Sequence, residues 1–138
     1  MSHKVLIVDD EPDVATYLSM ILRTNGYVTA VADSVESSLE VLQDFHPDLI
    51  CLDIMMPGKL GVSLYTHLKQ DITLKRIPVI VVSGALQDDQ SDFHSYLSDE
   101  SIPVPDYIME KPVNVEEFTA AVKQLITSRS SQKRRIGK

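Results

Sequence analysis

Four short apolar runs in this sequence each end beside a residue that could take part in chemistry. Those residues are Asp9 with Asp10, then Asp53, Ser83 and Lys111. The runs lack polar alternation, a pattern typical of strands that are covered on both faces of a parallel sheet. Because ligands of open α/β sheets bind at the carboxyl ends of the strands, we expect these side chains to share one edge of a sheet.

The types of these side chains indicate what such an edge would bind. Three carboxylates close together repel one another, so a cation has to offset their charge. A hard divalent cation with oxygen ligands fits best, which makes Mg²⁺ the first choice and Mn²⁺ an alternative. A lysine that can pair with phosphate and a neutral hydroxyl donor would complete a site for a phosphoryl group.

Each of these residues also has a simpler explanation when it is taken alone. Asp53 could merely begin a turn, and so could Ser83 before Gly84. The acids at 9–11 could complement a helix dipole, and Lys111 could be a solvated surface charge. Their joint placement after four predicted strands makes a shared site the better hypothesis.

The sequence between these residues predicts helices that alternate with the strands. Apolar runs predict strands at 4–8, 27–32, 48–52, 77–82 and 104–109. Helix starts are predicted at Pro12, Ser34, Gly61, about residue 89 and Asn114. Such alternation forms a parallel sheet with helices on both faces. We therefore predict a single doubly wound α/β domain, flavodoxin-like, with five parallel strands in the order 2-1-3-4-5 and about five helices.

Composition favours one soluble domain that works in the cytoplasm. The 138 residues are 43% hydrophobic and 24% charged, and they contain no apolar run of membrane-spanning length. The first apolar run is too short for a signal peptide and leads into acids. The single cysteine, Cys51, lies in a predicted strand, where it is expected to be a small core residue.

The charges are distributed unevenly along the chain. The net charge is −7, all 20 acids precede residue 118, and five basic residues crowd the last ten positions. We expect the domain to end near 127 and residues 128–138 to form a basic, flexible tail or the start of a linker. An acidic body argues against direct nucleic-acid binding by the domain.

Four motifs resemble those of a known family. They are Val-Leu-Ile-Val-Asp-Asp-Glu-Pro at 5–12, Leu-Asp-Ile-Met-Met-Pro-Gly at 52–58, Val-Val-Ser-Gly-Ala at 81–85 and Glu-Lys-Pro at 110–112. Together they are similar to the response-regulator receiver domains of two-component signalling. The resemblance covers residues 4 to about 126.

This resemblance implies a role for each residue. Asp53 would be the phosphoacceptor, Ser83 would hydrogen-bond the phosphoryl group and move with it as a switch, and Lys111 would pair with phosphate. Asp10 and Asp53 would be Mg²⁺ ligands, Asp9 a ligand mainly through water, and the backbone carbonyl of Met55 a further ligand. The peptide bond between Lys111 and Pro112 is often cis in such domains.

The resemblance also implies partners. A histidine kinase or a phosphotransfer protein would donate the phosphoryl group, and a downstream protein or a linked output domain would receive the signal. Such a module is not an enzyme beyond its own phosphotransfer and hydrolysis, and it contacts no membrane. A homodimer through the face of the predicted fourth and fifth helices is a further expectation.

The sequence departs from the family pattern in three respects. Ile108 stands where an aromatic switch residue is usual, and Tyr107 would point to the opposite face of its strand. The segment from Ser83 to Lys111 is longer than usual and residues 88–105 within it are weakly patterned, so the predicted fourth helix there would be irregular or displaced. Met55 and Ala85 cannot orient a water, so we predict slow self-dephosphorylation. A docking module that is never phosphorylated remains an alternative, as does, less well supported, an aspartyl-phosphate phosphatase.

Overall fold

The structure is a computed structural model that describes residues 2–54, 60–84 and 101–136. Its strands are β1 Lys4–Val8, β2 Val28–Ala32, β3 Leu49–Leu52, β4 Val79–Ser83 and β5 Tyr107–Glu110. The helices in these ranges are α1 Pro12–Thr24, α2 Val35–Phe45, α3 Leu60–Gln70 and α4 Val115–Ile136. The predicted helix at 89–97 lies outside the described residues.

All five strands are parallel and form one sheet in the order β2-β1-β3-β4-β5. This order confirms the predicted flavodoxin-like topology. β1 and β3 are neighbours, and their register pairs Val8 with Leu52. β4 and β5 are also neighbours, with Ser83 opposite Glu110. The strand ends that precede the predicted site residues therefore lie along one edge of the sheet.

The sheet is covered on both faces, which explains the unbroken apolar runs. Alternate strand residues such as Leu6 and Ile50 pack with α2 and α3 on one face. The residues between them, such as Ile7 and Cys51, pack with α1 and α4 on the other. Each fully buried Leu or Ile contributes roughly 1.5–3 kcal/mol relative to an exposed one. Burial also raises the pKa of the Cys51 thiol, in agreement with its expected role as a core residue.

The predicted helix boundaries are explained by local chemistry. Pro12 begins α1, and Gly26, with a φ of 90°, follows its end in a conformation that glycine tolerates best. The Ser34 hydroxyl caps α2 by accepting a hydrogen bond from the backbone N–H of Ser37 at 3.1 Å. In α4, the Asn114 side chain accepts a hydrogen bond from the backbone N–H of Glu117 at 2.8 Å.

Two boundaries differ from the sequence analysis. β5 begins at Tyr107 rather than at 104, because Pro103 and Pro105 have no N–H to donate to a neighbouring strand. The last helix continues to Ile136, past residue 127, into the segment predicted to be a basic, flexible tail or the start of a linker. The sequence contains no proline or glycine between Pro112 and Gly137 that would end the helix earlier. Whether the functional domain ends near 127 stays a prediction.

An arginine near the end of α4 attaches this extension to the domain. The Arg129 guanidinium donates a hydrogen bond to the carbonyl of Pro47 at 3.3 Å and lies 3.5 Å from the Asp48 carboxylate. Asp48 in turn accepts a hydrogen bond from the backbone N–H of Lys4 at 2.8 Å. The extension is therefore tied to the starts of β1 and β3. None of the helices in the described part of the chain combines the length and apolar character that a membrane crossing requires.

Candidate functional site

Two buried carboxylates stand at the carboxyl ends of the central strands. Asp9 and Asp53 follow the paired residues Val8 and Leu52, and they are 2% and 4% exposed. The sheet hydrogen bonds extend to both residues. The backbone N–H of Asp9 donates to the carbonyl of Ala32 at 3.0 Å, and that of Asp53 donates to Val8 at 2.9 Å. Their positions are thus fixed by the sheet rather than by a loop.

Lys111 joins these two carboxylates from the far side of the site. Its Nζ lies 3.2 Å from Oδ2 of Asp9 and donates a hydrogen bond to Oδ2 of Asp53 at 3.3 Å. A third contact, to Oε1 of Glu11 at 2.7 Å, is the shortest. The Lys111–Pro112 peptide bond is cis, as the resemblance implies. The structure therefore brings together three of the predicted side chains and adds one.

The pKa shifts reflect crowding of charge in a partly buried place. Burial raises the pKa of Asp9, opposed by a hydrogen bond from the backbone N–H of Glu11 and reinforced by the charge of Asp53. For Lys111, burial disfavours the charge, but the hydrogen bond to Glu11 and the charges of Asp53 and Asp9 outweigh it and raise the pKa. The lysine is consequently an ammonium ion at neutral pH, suited to pairing with an anion.

The acidic residues are close enough to share one cation. Asp9, Asp10, Glu11 and Asp53 each offer a carboxylate oxygen, and these oxygens all lie within 4.8 Å of one another. Asp10 and Glu11 are exposed, whereas Asp9 and Asp53 are buried. An all-oxygen donor set that is accessible from solvent fits the requirements of Mg²⁺. Burial, which raises the pKa of Asp9, disfavours its ionised form, and a bound cation would offset that effect.

Of two other predicted site residues, the structure describes only the backbone of Ser83 and no part of Met55. The backbone of Ser83 ends β4, in the strand adjacent to the one that leads to Lys111, but its side chain lies outside the described part. Met55 lies outside the described residues altogether, so its role as a carbonyl ligand stays a prediction. Asp10 follows Asp9 directly and belongs to the acidic cluster, as expected.

Sequence reasoning missed two residues that shape the site. Glu11 was considered only as a helix-start acid, whereas its side chain reaches across to Lys111. Gly61 in α3 passes so close to the strand end that a Cβ would lie 2.4 Å from the carbonyl oxygen of Asp53 and 2.6 Å from Cα of Ile54. The only local signal for Glu11 was its adjacency to Asp10, and nothing in the sequence marks the partner of Gly61.

The departure at the aromatic position is confirmed. Ile108 is partly buried against the apolar face that also contains α2 and α3. Tyr107 packs against the opposite face, where its hydroxyl donates a hydrogen bond to Glu117 at 2.7 Å, an interaction that raises the pKa of the tyrosine. Tyr107 therefore cannot replace the aromatic side chain that is usual at position 108.

The fold and the site together define a doubly wound α/β domain with an acidic cluster and a lysine at the carboxyl edge of its parallel sheet. Comparison with known proteins gives the family: the model of the response regulator receiver domain matches residues 5–123, and the chain belongs to this family.

Several relatives illustrate the match. The chain is 29% identical over 123 residues to the DNA-binding response regulator MtrA of Mycolicibacterium smegmatis, covering 89% of this chain and 50% of that protein. It is 31% identical over 122 residues to the phosphate regulon transcriptional regulatory protein PhoB of Pseudomonas aeruginosa, covering 88% and 51%. The chain thus spans about half the length of the curated relatives it matches.

Solved structures agree with this assignment. The signal receiver domain of a signal transduction histidine kinase from Syntrophus aciditrophicus is 30% identical, with a TM-score of 0.77 and coverage of 92% of each chain. The receiver domain of a Francisella response regulator is 28% identical, with a TM-score of 0.75 and coverage of 92% of this chain and 98% of that chain.

Proposed function

We propose that Asp53 accepts a phosphoryl group from the phosphohistidine of a histidine kinase or phosphotransfer protein, and that the chain signals by the resulting change in conformation. The observation that carries this proposal is the contact of Lys111 Nζ with both Asp9 and Asp53 at 3.2 and 3.3 Å. These contacts place the proposed acceptor Asp53, the acidic residue Asp9 and a lysine that can pair with phosphate together at one edge of the sheet. Family membership supports the same assignment.

The proposed reaction is a simple transfer. A carboxylate oxygen of Asp53 attacks phosphorus, the bond between phosphorus and the histidine nitrogen breaks, and the departing imidazole takes up a proton. The product is an acyl phosphate on Asp53. Because the charge on the phosphoryl oxygens has to be stabilised, the ammonium of Lys111 contributes by pairing with one of them. The 4% exposure of Asp53 keeps bulk water away from much of the carboxyl group.

A divalent cation completes this proposal. Asp9, Asp10 and Asp53 would hold Mg²⁺, with the backbone carbonyl of Met55 as a further ligand and Mn²⁺ as a substitute. The ion would supply positive charge to the phosphoryl oxygens when bound. Of these residues, the three aspartates belong to the acidic cluster of the described structure.

The proposed biological setting follows from the family. MtrA and PhoB are named as a DNA-binding response regulator and a transcriptional regulatory protein, and this chain covers about half of each. The Syntrophus domain belongs to a histidine kinase instead. We therefore propose a cytoplasmic receiver whose target is either a linked output domain or a separate protein. Slow hydrolysis of the acyl phosphate remains a prediction from Met55 and Ala85.

Acetyl phosphate labelling tests the proposal. Purified protein incubated with acetyl phosphate and MgCl₂ should gain the mass of one phosphoryl group, and chelation of the metal should prevent the gain. The Asp53→Asn variant should not be labelled, whereas Asp44→Asn, which removes an exposed acid of α2, should be labelled like the wild type. A folded wild-type protein that stays unlabelled, or an Asp53→Asn variant that is labelled equally, would contradict the proposal.

A second candidate is a docking module that is never phosphorylated. It is favoured by Ile108 in place of an aromatic switch and by the attachment of Tyr107 to Glu117 on the opposite face. Binding of beryllofluoride, an acyl-phosphate mimic, separates the two candidates. Magnesium-dependent binding, seen as shifts of backbone amide signals near Asp53, supports a phosphorylated receiver. A folded protein that neither binds beryllofluoride nor takes up phosphate supports docking.

A further inference from the structure

The contact between Glu11 and Lys111 has a geometry that helix initiation does not require. Their side chains meet at 2.7 Å although they are 100 residues apart in the sequence. The side chain of Glu11 is 59% exposed, whereas that of Lys111 is 17% exposed. The backbone of Glu11 serves the local structure separately, because its N–H donates to the Asp9 carboxylate and its carbonyl accepts from the N–H of Ala15.

We infer that Glu11 is a positioning residue that holds the ammonium of Lys111 and competes with the incoming phosphoryl group for it. This inference rests on the proposed function of Asp53 as phosphoacceptor. It adds to that function a residue that sets how readily the lysine becomes available.

An ammonium group can pair with only as many acceptors as it has N–H donors. Lys111 has three N–H donors, and three carboxylates, those of Glu11, Asp9 and Asp53, lie within 3.3 Å of its Nζ. A phosphoryl oxygen that pairs with Nζ therefore has to replace one of them. Asp9 and Asp53 are almost fully buried, so neither can be released into water without a rearrangement of the strand ends. Glu11 is exposed and can be rehydrated where it stands.

The charge of Glu11 also acts on whatever enters the site. Its carboxylate oxygen lies within 4.8 Å of those of the three aspartates, so it strengthens the attraction for a divalent cation. The same charge repels an anionic phosphoryl donor. Neutralising Glu11 should thus weaken cation binding while it speeds phosphoryl transfer at saturating cation. A purely structural role would not produce two effects of opposite sign.

The test compares Glu11→Gln with Asp13→Asn. Each substitution removes one negative charge, and the two positions lie two residues apart at the start of α1. Asp13 lies in the first turn of α1 and has no ion pair with Lys111 in the described structure. The initial rate of acetyl phosphate labelling is measured across a range of MgCl₂ concentrations. Mn²⁺ binding to the free protein is measured separately by electron paramagnetic resonance, which needs no phosphorylation.

The expected result is specific to Glu11. At saturating MgCl₂, Glu11→Gln should be labelled about two- to fivefold faster than Asp13→Asn, the range expected when one partly exposed ion pair is lost. Its affinity for Mn²⁺ should be lower than that of Asp13→Asn. Equal labelling rates for the two variants, or a slower rate for Glu11→Gln at saturating MgCl₂, would overturn the inference.

The two proposals fail in different ways. If the wild type is labelled at Asp53 but Glu11→Gln behaves like Asp13→Asn, the role of Glu11 is wrong and the phosphoacceptor stands. If the wild type is never labelled, the proposed function is wrong and the role of Glu11 is lost with it.

Discussion

The close approach of Gly61 to Asp53, the proposed phosphoacceptor, leads to a prediction about stability whose direction can be decided from the structure. A Cβ at this position would lie 2.4 Å from the carbonyl oxygen of Asp53, and 2.6 Å from both Cα and the carbonyl oxygen of Ile54. All three are backbone atoms, so no side chain can rotate away. To restore an ordinary contact of 3.4 Å or more, α3 or the strand end must move by about 1 Å.

Gly61→Ala has two opposing effects on the free energy of unfolding. Alanine in a helix is favoured over glycine by up to about 1 kcal/mol. Overpacking of this kind typically costs about 1–3 kcal/mol. We therefore expect a lower free energy of unfolding, measured by urea denaturation, whereas helix propensity alone predicts a higher one. Gly84→Ala is the control for crowding, because among the described residues no atom beyond the neighbours of Gly84 in the chain lies within 4 Å of the Cβ that it would add.

The same displacement should affect the chemistry. A misplacement of about 1 Å at a reacting group can lower a rate by about 100-fold. We expect acetyl phosphate labelling of Gly61→Ala to be slowed by up to this factor while the variant remains folded at low temperature. A Gly61→Ala protein with unchanged or increased stability and wild-type labelling would refute the claim that the glycine sets the position of Asp53.

Three further predictions concern stability and the ends of the sheet. Tyr65→Phe removes the hydrogen bond from the tyrosine hydroxyl to the carbonyl of Pro103 at 2.5 Å, and should lower the free energy of unfolding by about 1 kcal/mol; an unchanged value would show that water replaces the donor. Arg129→Ala removes the anchor to Asp48, so amide hydrogen exchange should quicken in 124–136 and not in α2. Hydrogen bonds from Thr73 and Leu74 lower the pKa of Asp71, so the stabilising effect of the Asp71 carboxylate is present above the unfolded pKa of about 3.9 and is lost as the pH falls through the folded pKa. The stability difference between wild type and Asp71→Ala should shrink from pH 6 to pH 3, the approximate window set by that unfolded value, and a difference independent of pH would contradict this.

The sheet could be predicted because its evidence is local. Runs such as Val5 to Val8 and Leu49 to Leu52 are apolar without alternation, and they are buried on both faces. Helix alternation indicated a parallel sheet, and the flavodoxin-like strand order chosen for it placed Asp9 and Asp53 on neighbouring strands. The site residues at the strand ends could be predicted because each directly follows one of these apolar runs.

The contacts that sequence reasoning missed depend on distances that no local pattern encodes. In the sequence, Glu11 resembles any acidic residue at a helix start, and only the folded chain shows that its side chain contacts Lys111. Gly61 resembles any glycine at a helix start until the strand end behind it is known. The continuation of α4 beyond 127 was not predicted because the serines at 128, 130 and 131 have only moderate helix preference, whereas the contact of Arg129 with Asp48 holds this part of the helix against the domain.

The balance of charge at the strand edge implies an order of events. Within the described residues, four carboxylates face one ammonium, so the edge is negative before anything binds. An anionic phosphoryl donor is repelled by such a field, whereas a divalent cation is attracted. In the proposed reaction, the donor would therefore approach favourably only after a bound cation had reduced the negative charge and Glu11 had begun to release Lys111. Cation occupancy should therefore limit labelling at low MgCl₂, and the availability of the lysine should limit it at high MgCl₂.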